Sequence, residues 1–114
     1  MKIIDLRLSP SESTVCICAL SHVTQLRPLT NSEAQARINE ALAKSAAEKL
    51  CSLSRGSAVN LLPNELRVLA ACVDHCYGIS LGHFDAPVEV FKECSAYRFT
   101  LGALLDRLEP VFDE

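Results

Sequence analysis

Tryptophan is absent, and the chain has only 4 glycines, 4 phenylalanines and 2 tyrosines. The scarcity of glycine leaves little backbone of the kind that cradles phosphates, and no glycine-rich nucleotide loop or nucleophile elbow occurs. No apolar run approaches the length of a membrane span, and "MKIIDLRLSPSE" carries Asp5, Arg7 and Glu12 where a signal peptide needs unbroken apolar residues. The Lys and Arg residues are scattered from Lys2 to Arg107 and the net charge is -3, so the basic footprint of a nucleic-acid-binding surface is missing. A soluble, cytoplasmic protein that binds neither membrane nor nucleic acid is the expectation, with no cofactor.

What is present is a globular composition, 49% hydrophobic and 22% charged over 114 residues, enough for one domain with a core of its own. Leu and Ala dominate the apolar set, which favours helix over strand. Six cysteines accompany them. In a reducing cytosol a domain of this size has no need of disulfides, so these are expected as thiols.

Helix-start grammar recurs along the chain. "SPSE" (Ser9 to Glu12) is a capping box with Pro10 at the first helical position, "TNSE" (Thr30 to Glu33) offers a second start and "LLPNE" (to Glu65) a third. Asp85 before Pro87 and Thr100 before Leu101 suggest two more. From Glu33 onward Ile38, Leu42, Ala46, Leu50 and Leu53 share one face, opposite Glu33, Arg37, Glu40, Lys44 and Glu48. Glu33 with Arg37 and Glu40 with Lys44 stand in the favourable i, i+4 order. After Pro63, the residues Leu66, Leu69, Ala70, Val73, Cys76 and Tyr77 share a face, and Gly78 is expected to cap the helix.

"TVCICAL" reads equally as a buried strand. A gap-free alignment of "LSPSESTVCICALSH" (Leu8 to His22) with "LLPNELRVLAACVDH" (Leu61 to His75) matches Leu, Pro, Glu, Val and His, and it favours a helix from Pro10 to Leu26. The fold class expected is mainly α: a single compact domain, residues 1–114, of four or five helices. These could form two degenerate helical hairpins, with a short β element pairing Ile3 to Leu8 with Ser57 to Leu62.

Four constellations bear on chemistry. Cys72, His75, Cys76 and His83 in "CVDHCYGISLGH" suit zinc by composition, but on a helix Cys76 points to the apolar face, Cys72 to its border and His75 to its flank. A metal site from Cys72, Cys76 and His83 is thus an alternative rather than the main reading. Cys16 and Cys18 would share a face on a strand and diverge on a helix. Cys51 projects onto the charged face near Lys44, Glu48 and Arg55, which makes it the reactive-thiol candidate. His22 and His75 fall near expected helix C-termini, where a protonated imidazole is favoured. No arrangement of nucleophile, base and orienting group is visible, so no catalytic residue is assigned.

The remaining feature is a surface. "TLGALLDRLEPVF" sets Leu101, Leu104, Leu105 and Leu108 on one side of a short helix, with Phe99 before it and Phe112 after. The leading expectation is a small non-catalytic module that binds a protein partner or itself through these six residues, as a homo-oligomer, adaptor or inhibitor. A third reading, a helix-turn-helix made by the Glu33 and Pro63 helices, has to accept a long connector from Ser54 to Leu62.

Overall fold

Ser9 Oγ accepts the amide of Glu12 at 3.1 Å, and the Glu12 carboxylate accepts the amide of Ser9 at 2.9 Å. This reciprocal box, with Pro10 next to it, starts the first helix, α1 (Pro10–Ser21). Ser32 Oγ caps α2 (Glu33–Cys51) by accepting the amide of Gln35. Proline opens α3 (Pro63–Ser80), and α4 (Val88–Ala96) and α5 (Arg98–Leu108) follow, separated by Tyr97 alone. Two 3-10 segments, Val23–Leu29 and Glu109–Asp113, complete the elements. The structure is a computed structural model that describes residues 6–52 and 60–113.

The molecule is mainly helical, and α3 is its axis. Leu69, Ala70, Val73 and Ile79 are fully buried on it, and α1, α2, α4 and α5 all pack against it. Only Pro63, Asn64, Arg67 and Asp74 of its 18 residues face outward. A helix apolar over most of its circumference belongs in the middle of a bundle. The described residues form one body of 34 × 31 × 26 Å.

Several expectations need correction. The helix from Pro10 stops at Ser21 rather than Leu26, and the chain tightens into 3-10 geometry over Val23–Leu29. β-branched Val23 and Thr24, and Pro28 without an amide hydrogen, work against further α-helix. Gly78 does not cap α3: the helix runs on to Ser80, and Gly82 takes the left-handed turn at φ 81°. His83 N–H donates to the Gly78 carbonyl (2.9 Å) and Gly82 N–H to that of Ile79 (3.0 Å), the paired bonds of a Schellman ending. Pro87 rather than Asp85 stands at the start of α4, and α5 begins two residues before Thr100.

The α2 face is rotated from the one the periodicity indicates. Ala36, Ala43, Ala46 and Leu50 enter the core, Leu42 is half-buried, and Ile38 is 52% exposed; Leu53 lies outside the described residues. Small alanines let α2 lie close against its neighbours. Glu40 pairs with Arg27 rather than with Lys44, and Arg27 also holds Glu33, so one guanidinium straps the 3-10 segment to α2. Glu33 reaches Arg37 at 3.5 Å as expected.

The β lead falls largely on residues 1–5 and 53–59, outside the described residues. Among the described residues there is no strand, only an isolated bridge at Arg7. Leu6, Leu8 and Leu61, which flank those segments, are buried. Among the described residues no helix is long and apolar enough to cross a membrane.

Candidate functional site

The turn after α3 builds one wall of a groove. Once Gly82 has reversed the chain, Phe84 lies back over α3, and its ring stacks on His75 with centroids 4.4 Å apart and planes 29° from parallel. Gly78 makes the approach possible, since a Cβ there would sit 2.5 Å from the Phe84 ring. The "CVDHCYGISLGH" stretch is therefore a helix end with its tail folded back on it.

Between Phe84 and the 3-10 segment lies a depression of about 280 Å3, with Ala71, Asp74 and His75 of α3 on its floor and Leu29 and Phe112 at its sides. A second, of about 400 Å3, adjoins it through Asn39 and is lined by Gln35, Ile38 and Leu42 of α2 and Asn64, Arg67 and Val68 of α3. The lining positions advance by three and four along both helices: 35, 38, 39 and 42 on one, 64, 67, 68, 71, 74 and 75 on the other. Together they describe one channel between antiparallel helices. At 1.5 Å per residue its α3 side runs about 16 Å, three turns of helix.

Four of the exposed large apolar residues lie on its rim. Ile38 is joined by Leu29, Phe84 and Phe112, each at least 40% exposed. His75 contributes a polar atom without a partner, since its Nδ1 is buried and unbonded. Burial pushes the His75 imidazole below its ordinary pKa, against the weaker upward pull of Asp74. α3 continues past His75 to Ser80, so the ring is not at the helix C-terminus where protonation was expected to be favoured.

A stability signature follows. The unfolded chain takes up a proton near pH 6.5 and the folded chain does so only at lower pH. The contribution of His75 is thus complete above about pH 6.5 and declines as pH falls below it. A single proton tilts stability by no more than about 1.4 kcal/mol per pH unit. Urea midpoints of wild type and His75→Phe at pH 7.5 and 5.5 check it: the wild type should lose more on acidification than the variant, and parallel losses would refute the assignment.

No family model, curated protein or solved structure matches the chain.

The six residues of the predicted interface separate. Leu101, Leu104 and Leu108 are at most 2% exposed, Leu105 is half-buried and packed against the core, and Phe99 projects outward at 92% exposure. The leucine stripe is consumed by α3, so the three buried leucines offer nothing to a partner in this fold. Phe112 lines the groove, and the Phe99 side chain is open.

The proposed Cys72, Cys76 and His83 centre is not assembled. Cys72 and Cys76 are in the core and His83 is on the exposed turn. Burial pushes the Cys72 and Cys16 thiols up to about 12, and raises Cys76 and Cys94 as well. In both, burial favours the protonated thiol. Cys51 is exposed as the last residue of α2.

Residues that periodicity missed are Ile38 and Leu42, assigned there to the core, together with Leu29, Ala71 and Phe84. The available signal was the alanine content of α2: Ala36, Ala43 and Ala46 offer a second apolar face, which frees the larger side chains for another use.

Proposed function

We propose that the protein is a non-catalytic binding module that receives one amphipathic helix of a partner protein in the groove between α2 and α3. The observation that carries this reading is Ile38, a large apolar side chain of α2 that stands in solvent on the groove rim while Ala36, Ala43, Ala46 and Leu50 fill the core beneath the helix. Two parallel rows of lining residues form the complement of a helical ridge, and a floor containing Ala71 lets that ridge come close.

A library of displayed amphipathic helical peptides is the test. Peptides with apolar residues at i, i+3, i+4 and i+7 should be selected by the wild type and lose about tenfold or more in affinity for Ile38→Glu, a loss of 1.4 kcal/mol or above. Ala71→Glu should act likewise. Selected peptides that bind both variants undiminished would overturn the reading. So would self-association that Ile38→Glu abolishes, which would give the groove to a second copy of the chain.

A further inference from the structure

Away from the groove, α1 and α4 meet through three side chains that the sequence reading left apart. Cys18 and His22 stand four residues apart, at the end of α1 and on its C-cap, and so fall on one side of the helix. Glu93 reaches them from α4. Its Oε1 receives both neighbours, Cys18 Sγ at 2.6 Å and His22 Nε2 at 2.9 Å. One donor atom from each residue lies within 4.8 Å of the other two.

We propose that Cys18, His22 and Glu93 bind a single zinc ion that fastens α4 to α1. Each residue supplies a zinc ligand type, and three protein ligands leave a fourth position for water. Glu93 is 47% exposed and His22 16%, so an ion has a route in and the open position faces solvent. A thiolate among the ligands disfavours magnesium and calcium, which take oxygen, and the imidazole and carboxylate beside it suit zinc.

The charge balance fits. On binding, the Cys18 S–H bond breaks, its proton leaves to solvent, and the sulfur pair forms the bond to the ion. His22 gives the Nε2 lone pair as a neutral imidazole with its proton on Nδ1, and Glu93 gives a carboxylate oxygen. One thiolate and one carboxylate then neutralise the two positive charges, so a half-buried site holds no net charge. Without an ion, burial and the adjoining Glu93 carboxylate push the Cys18 thiol up to about 12, and the proton on sulfur serves as donor to that carboxylate.

The site would add to the fold what packing leaves slight. The nine-residue α4 packs chiefly on α3, with one buried residue, Cys94. An ion shared with α1 gives it a second attachment, and a folded-state ligand raises stability with its concentration.

The experiment uses the reduced full chain, stripped with chelator and titrated with Zn2+ and, as a spectroscopic stand-in, Co2+. One equivalent should bind, with a thiolate-to-cobalt charge-transfer band, proton release and a melting temperature that rises with zinc. Cys18→Ser should abolish the band and weaken zinc by more than the roughly 100-fold that an outer-sphere change costs. Glu93→Gln, at a half-exposed position and checked for unchanged circular dichroism, should weaken it also. Absence of the band, a band that survives Cys18→Ser, or one that Cys51→Ser removes would each overturn the proposal.

Discussion

Replacing Leu104 with aspartate is expected to leave the chain unfolded at room temperature, without a cooperative melt by circular dichroism. Leu104 is fully buried where α5 packs on α3. Truncating such a leucine to alanine already costs about 2–5 kcal/mol. An unpaired carboxylate at the same place adds several kcal/mol more, unless it takes a proton. Domains of this kind hold only about 5–15 kcal/mol in total. Phe99→Asp is the contrast. At 92% exposure the side chain has little to lose, and its stability should stay within about 0.5 kcal/mol of wild type. A folded Leu104→Asp would refute the core assignment, and a wild type that self-associates where that variant stays monomeric would make the leucine stripe an interface.

The second large effect concerns a charge inside the bundle. Glu65, in the first turn of α3, has no exposed surface. Burial alone would raise its pKa. Hydrogen bonds from Lys49 Nζ (2.6 Å), Ser45 Oγ (2.6 Å) and the Leu62 amide (2.7 Å) outweigh that and hold it below the ordinary carboxylate value. The carboxylate thus caps α3 and locks it to α2 at once. Lys49→Met removes the counter-charge and should destabilise by about 2–3 kcal/mol. That lies below the 3–5 typical of a broken buried pair, because the Lys49 side chain is 39% exposed and part of the attraction is screened.

Adding Glu65→Gln to Lys49→Met should recover most of that loss, since a neutral amide needs no counter-charge. Urea denaturation of the two variants decides it, and a double variant no more stable than Lys49→Met would refute the account. The pH sign is opposite in origin but similar in effect to that of His75. The folded pKa of Glu65 is lowered, so its contribution is present above the unfolded value near 4.5 and is lost as pH falls through the folded one.

These residues also mark how far the sequence could be read. Helix starts at Ser9 and Pro63 were legible because caps act within one turn, where local sequence contains the whole interaction, whereas the box expected over Thr30 to Glu33 gave way to a cap at Ser32. Periodicity showed which α3 residues align, but not that four other helices would surround them. Whether Glu65 meets water or Lys49 depends on a contact 16 residues away. Ile38 was misplaced for a related reason: hydrophobicity ranks it above alanine for the core, whereas close helix approach selects the smaller side chain.

The candidate sites were legible only in part. Phe112 belonged to the predicted surface and lines the groove, while Phe84 arrives there through the turn at Gly82. Cys18 and His22 carry a visible four-residue spacing, but their third neighbour lies 71 residues beyond His22. Local counting of cysteine and histidine pointed to residues 72–83, where composition was richest. The helix instead sends Cys72 and Cys76 into the core and leaves His83 outside.

The near contact between position 78 and the ring of residue 84 also constrains how this protein can diversify. With only 2.5 Å available to a Cβ at Gly78, an alanine or anything larger there evicts the phenylalanine from its seat against His75. Lineages that gain a side chain at 78 should therefore carry a smaller or relocated one at 84.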